Sequence, residues 1–360
     1  MPLRPVVLKI HLYLALVAGL FLVILGLTGS VIAFEGDLDH WFHPALWYVA
    51  KGSHAMAEQD LIDIANRGFA PAHAVAVQHF RDPQLVKAIR MSDAATVLLS
   101  PWNGHVTGRF TAPSATVRYL GYIHQLHMRL VPDPRSMKTA AEVGQDIVLA
   151  AGFLACLTVP TGVFLWWRTK RASIRFGASL FRVVFDMHNT IGIWSCVFLF
   201  MAAFTGFMVE QERVYFALAG SGRPGPIPKI VSSPQPGVNP VTADRALAAA
   251  SAALAGASVQ SLQLPLGPAG IFIVTMRFPE DSSETAHSPV LVDQYTGEVR
   301  FVRNFLTDSP GFRWVRFNRA IHTGDALGFL GHAILSLSSL ALAVMTITGL
   351  IIWRKKARLR

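Results

Sequence analysis

Cysteine is nearly missing from this chain: two residues, Cys156 and Cys196, among 360. Both fall inside apolar runs, so no disulfide framework braces the polar segments. They read as small core hydrophobes. Charge is scarce too, at 15% of residues against 52% hydrophobic. With a mean hydropathy of +0.40, the chain is too apolar for an ordinary soluble enzyme, which points to a membrane protein with sizeable polar parts. A glycine motif that would cradle a nucleotide is lacking. A small-residue cleavage site is also lacking after the first apolar run, so that run reads as a retained helix rather than a signal peptide.

Four runs are long enough to cross a bilayer, which takes roughly 20 residues: Leu12–Phe34, Val143–Trp167, Asn189–Val209 and Ala326–Trp353. Apart from Asp146 near one edge, they contain no acidic residue and no lysine, which argues against an ion-coupled permease. The net charge of +10 is uneven. The segments before the first run, between the second and third, and after the fourth hold 12 of the 32 basic residues but a single acid, Asp186. Basic flanks stay cytoplasmic. The high pI is thus a matter of orientation, with both termini in the cytoplasm, and no nucleic acid is implied.

The two long segments between runs share a layout. "MAEQDLIDIANRGF" and "TADRALAAASAAL" are helical in pattern. Each is followed by strands: "AVAVQHF", "LVKAIRM" and "ATVLLSPWNGHVTGRF" in the first, "SVQSLQL", "IFIVTMRF" and "SPVLVDQYTGEVRFV" in the second. "VLLSPWNGHV" and "VLVDQYTGEV" align without gaps, turning at Gly104 and Gly297. The runs repeat as well: "VPTGVFLWWR" ends the second and "TITGLIIWRK" the fourth, each with tryptophan beside arginine where a helix leaves the bilayer. The chain therefore reads as a mainly α membrane protein. It is a four-helix bundle of two parallel repeats with two α+β periplasmic modules. The expected divisions are helix 1–34, module 35–142, helix 143–167, cytoplasmic loop 168–188, helix 189–209, module 210–325, and helix with basic tail 326–360. Two facing modules would leave a cleft between them.

Histidine carries the functional signal. His11 precedes Thr28 by 17 residues, and His188 precedes Thr205 by the same interval. An ionisable group at one depth in both repeats reads as functional. Facing each other across the bundle, His11 and His188 suit a metal-centred disc with two axial imidazoles, namely haem. Zinc is less suited, since no thiolate or carboxylate joins them at ligand spacing. Glycines 19, 26, 29, 192 and 206 either admit a flat macrocycle or let helices pack closely. At the other end, His124 and His127 share a helical face, His322 precedes the fourth run and His332 lies near its start. One of the first two with one of the second two makes a second site, four combinations in all. Arg118, Arg129, Arg316 and Arg319 lie near this set as partners for propionates.

The motifs "IHLYLALVAG…LTGSVIAF", "LHMRL…TGVFLWWR", "FDMHNTIGIWS…FTGF" and "IHTGDALGFLG…TGLIIWRK", in this order, resemble the PepSY-associated transmembrane family of bacterial inner-membrane proteins. The resemblance spans nearly the whole chain, and the outer modules look like PepSY domains. It implies b-type haem among four helices and electron transfer to a periplasmic ferric siderophore, with release of Fe(II). It implies axial roles for His11, His188, His127 and His322. Some relatives carry a fused flavin reductase domain. This chain ends without one, so an external electron donor of unknown identity is expected. Two other readings compete: a PepSY protein that binds or regulates a periplasmic protease, its histidines structural, and a permease for the iron chelate.

Overall fold

A computed structural model describes residues 3–358 apart from 235, 284 and 286. In chain order its helices are α1 (Leu3–Ile32), α2 (Glu35–Phe42), α3 (Pro44–Trp47), α4 (Glu58–Gly68), α5 (Ala115–Arg129), α6 (Lys138–Trp167), α7 (Leu180–Val209), α8 (Glu212–Leu218), α9 (Ala243–Ala253), α10 (Pro310–Thr323) and α11 (Gly328–Ala357). The strands are β1 (Ala74–Gln78), β2 (Lys87–Met91), β3 (Thr96–Leu99), β4 (Val106–Phe110), β5 (Ser258–Gln263), β6 (Ile271–Arg277), β7 (Ser288–Asp293) and β8 (Val299–Val302). They form two compact units, one helical and one built around the sheet.

The helical unit is built on α1, α6, α7 and α11, each 30 residues long. At 1.5 Å per residue such a helix is about 45 Å long, enough to cross a core of about 30 Å with both ends outside. All four are apolar enough to span a membrane; the chain is a multi-pass membrane protein. The helices begin earlier than the apolar runs do, at Leu3, Lys138 and Leu180 for the first three, because they continue into polar flanks.

α1 packs on α6 and α11, and α7 packs on the same two, so α1 and α7 occupy opposite corners. Small residues set the contacts. A Cβ on Gly26 would stand 2.6 Å from Ser339 O and 2.9 Å from Ala343 N, so this glycine brings α1 against the backbone of α11. Gly19 and Gly192 likewise abut side chains of α11. Close helix packing accounts for these three. Asp186, the one acid of the basic segments, is 3% exposed. It accepts two hydrogen bonds from the Arg175 guanidinium, at 2.9 and 3.2 Å. Both cysteines are free and half-buried.

The strands of both halves join one antiparallel sheet of order β4-β3-β2-β1-β5-β6-β7-β8. β1 and β5 form the seam, Val77 opposite Leu262. The two expected modules thus meet edge to edge as one sheet rather than face to face. The hairpins β3–β4 and β7–β8 turn at Gly104 (φ 68°) and Gly297 (φ 71°), a left-handed conformation that suits glycine. Val77, Ile89, Val97, Leu262, Val274 and Val290 are wholly buried with α4 and α9. Ala243, Ala246 and Ala250 are buried with them. α4 and α9 cap each other: the Asp244 carboxylate accepts from the N–H groups of Glu58 (2.7 Å) and Gln59 (3.0 Å), and Gln59 Oε1 accepts from Ala243 N–H at 3.0 Å.

Glu58, 3% exposed, lies under the sheet with His79 Nε2 at 3.0 Å and Lys87 Nζ in contact. Burial pushes its carboxyl up. The His79 hydrogen bond and the Lys87 charge outweigh that and hold it below its ordinary value.

Candidate functional site

His11 sits in the third turn of α1 and turns toward α6. Its Nδ1 lies 3.0 Å from Thr161 Oγ1 and 3.1 Å from Thr158 O. His188, from the opposite corner on α7, turns toward α11, with Nδ1 3.0 Å from Thr348 Oγ1. The two rings lie next to each other in an edge-on, T-shaped arrangement, with centroids 6.5 Å apart and planes at 84°.

A second pair forms at the other end of α1 and α7. There α5 and α10, both amphipathic, each bring a histidine to a spanning helix. His127 of α5 places Nδ1 3.0 Å from Thr28 Oγ1 of α1. His322 of α10 places Nδ1 3.2 Å from Thr205 Oγ1 of α7. Asn318, one turn before His322, donates to Thr205 O at 3.0 Å. The centroids of His127 and His322 are 6.4 Å apart, with planes at 38°. α5 therefore belongs with the spanning helices, although its residues fall within the expected module 35–142.

The other two candidates are engaged elsewhere. His124 Nδ1 meets the Glu35 carboxylate at 2.5 Å. His332 Nε2 meets Asp325 at 3.2 Å and its ring lies 5.9 Å from that of Phe34. Of the four combinations open to the second pair, the geometry brings together His127 and His322. Arg316 is engaged elsewhere as well: it is buried against Asp281, Ser283 and Thr285.

Among the described residues, no hydrogen bond engages Nε2 of His11, His188, His127 or His322. Each pair thus offers two unengaged ring nitrogens from opposite sides. A linear bridge with metal–nitrogen bonds of about 2 Å separates two nitrogens by about 4 Å, and half a ring at each end adds about 1.2 Å, giving about 6.4 Å between centroids. Both pairs have this spacing. Among the described residues no group of three or more His, Cys, Asp or Glu is placed to hold a metal ion. Two-imidazole sites fit a metal that arrives with its own equatorial ligands, as haem iron does.

The threonines were the missed part. Within the four spanning helices "Thr-Gly" recurs at 28–29, 161–162, 205–206 and 348–349, and each of these four copies holds one of the four paired histidines. The recurrence was the available signal; which ring each copy receives depends on helix packing. A model of the PepSY-associated TM region matches residues 8–357, essentially the whole chain. A search of curated proteins returned no match.

Proposed function

We propose a redox function, on one premise: the chain belongs to the PepSY-associated transmembrane family. In this reading it is a haem b reductase of the bacterial inner membrane. It takes electrons from an external donor and passes them across the bilayer to a periplasmic ferric siderophore, releasing Fe(II). The observation that carries the reading is the pairing of imidazoles at 6.5 and 6.4 Å in the helical unit.

Haem, when bound, supplies reversible one-electron chemistry at iron. His11 and His188 would hold one group and His127 with His322 the other. An iron held by two imidazoles would have no position left for oxygen, which would favour electron transfer over oxygen binding. The first pair sits at His11 of α1, and the second is anchored on Thr28 of the same helix, 17 residues on. That interval is roughly 26 Å along the helix axis, most of a bilayer core of about 30 Å. We read the two halves as parallel copies, each giving one histidine to each pair. The basic segments at Arg168–Arg182 and Arg354–Arg358 orient both termini to the cytoplasm and the sheet to the periplasm. Reduction lowers the charge on chelated iron and weakens its hold by hard anionic oxygens.

The test is the absorption spectrum of protein purified from cells with ample haem, with and without dithionite. We expect a low-spin b-type spectrum and two haems per chain, then Fe(II) release from a ferric siderophore by the dithionite-reduced protein. A colourless preparation overturns the reading. A coloured one that leaves the ferric siderophore unreduced overturns the substrate assignment.

A further inference from the structure

A threonine hydroxyl has one proton to donate. In the four Thr-Gly steps of the spanning helices that proton is committed to the threonine's own helix. Thr28 donates to Ile24 O at 2.7 Å, Thr161 to Thr158 O at 2.7 Å, Thr205 to Met201 O at 2.6 Å and Thr348 to Val344 O at 2.8 Å. The oxygen therefore presents only a lone pair to the imidazole. The ring must place its hydrogen on Nδ1 and donate it. A neutral imidazole has one N–H, so Nε2 is left as the lone-pair nitrogen. At His11 the Thr158 carbonyl, which cannot donate, imposes the same choice a second time.

The glycine that follows each threonine makes room for the ring. A Cβ on Gly29 would stand 3.1 Å from Cε1 of His127, on Gly162 3.1 Å from Cε1 of His11, on Gly206 2.7 Å from Cε1 of His322, and on Gly349 3.3 Å from Cε1 of His188. Hydroxyl and gap occur together at all four places.

We infer that the four Thr-Gly steps are imidazole seats: Thr28, Thr161, Thr205 and Thr348 are positioning residues that fix the Nδ1–H tautomer and so present Nε2 as the metal-binding atom of each ligand. The inference rests on the redox reading. A hydrogen bond from Nδ1–H makes the opposite nitrogen more basic, which tightens its hold on the oxidised ion. The seats share a second acceptor: a backbone carbonyl three residues before the threonine, Thr158 for His11, Leu25 for His127, Ala202 for His322 and Met345 for His188, also accepts from each ring and remains when the hydroxyl is removed.

The experiment compares purified full-length protein carrying T28V, T161V, T205V or T348V with the serine variants at the same positions. T346V is the control: its hydroxyl donates to Leu342 O at 3.0 Å and seats no ring. Haem per chain, midpoint potential by spectroelectrochemical titration and the low-spin ferric EPR signal are the readouts. All four valine variants are expected to bind haem at the affected pair about 10-fold more weakly, the carbonyl holding the tautomer in part, and to raise the midpoint of what remains. Serine is expected to restore the parent values, and T346V to match them. Valine variants with the parent haem content, midpoint and EPR signal overturn the inference and leave the redox reading standing. A haem-free parent protein overturns the redox reading. In that case 15N NMR of histidine-labelled chain decides the tautomer alone, and protonation on Nε2 of the four rings overturns the seats.

Discussion

In the sheet unit, Leu61, Ile89, Leu262, Val274 and Met276 are wholly buried, and Glu58 joins them only in company with His79 and Lys87. In the helical unit, Leu20 and Trp194 are 70% and 72% exposed, while His11, His188, His127 and His322 face inward. One unit hides its apolar side chains and the other displays them. Water drives the first arrangement, at about 25 cal/mol per Å² of apolar surface removed. Lipid is as apolar as leucine and gives helices no such drive, so small residues and polar contacts hold a spanning bundle together. In this protein those inward polar contacts are largely imidazole to threonine. The bonds that hold the bundle are thus the ones that shape its site.

Substitutions can break this contrast from either side. The largest effect is expected for His188→Ala and for His322→Ala. Each should abolish the low-spin haem signal of its own pair, read as one haem fewer per chain, while thermal unfolding of the sheet unit is unchanged. Leu262→Ala, at the strand seam, is expected to do the reverse. Truncating a wholly buried leucine costs about 2–5 kcal/mol, visible as an earlier unfolding transition with haem content retained. Should haem loss follow Leu262→Ala, the two units are not held by separate forces.

Glu58→Gln sharpens the comparison by pH. Removing one partner of a buried ion pair costs about 3 kcal/mol. The Glu58 carboxyl lies below its ordinary value: burial raises it, and His79 and Lys87 lower it further than that. A depressed carboxyl contributes stability above its unfolded pKa, about 4.3, and that contribution is lost as pH falls through the folded value. The gap between parent and variant, measured by thermal unfolding, is therefore expected to be full at pH 7 and to close below about pH 4.3. The smallest effect is expected for Asp244→Ala, which uncaps the N-terminus of α4 at a cost of about 1 kcal/mol, measured by the same unfolding experiment.

The spans, both helix-and-hairpin patterns and the turn glycines were legible because each is written in local periodicity or in a residue type that one backbone conformation favours. The seam between β1 and β5 was not. Strands nearly two hundred residues apart carry no mark of who pairs with whom. The choice of His127 over His124 was hidden for a similar reason. They lie three residues apart on one helical face, and what separates them is a carboxylate at Glu35 and a hydroxyl at Thr28 on another helix. Arg316 looked like an interfacial cation because it is near His322 in sequence; Asp281, 35 residues upstream, takes it into the sheet unit.

Every ring pair joins a histidine from before the link between Trp167 and Leu180 to one from after it. A chain severed in that link would become two polypeptides, neither owning a complete pair. The β1–β5 seam gives the fragments a way to rejoin. Co-expressed, they should recover what the intact chain does; expressed singly, either would need a second copy of itself to put two imidazoles across from each other.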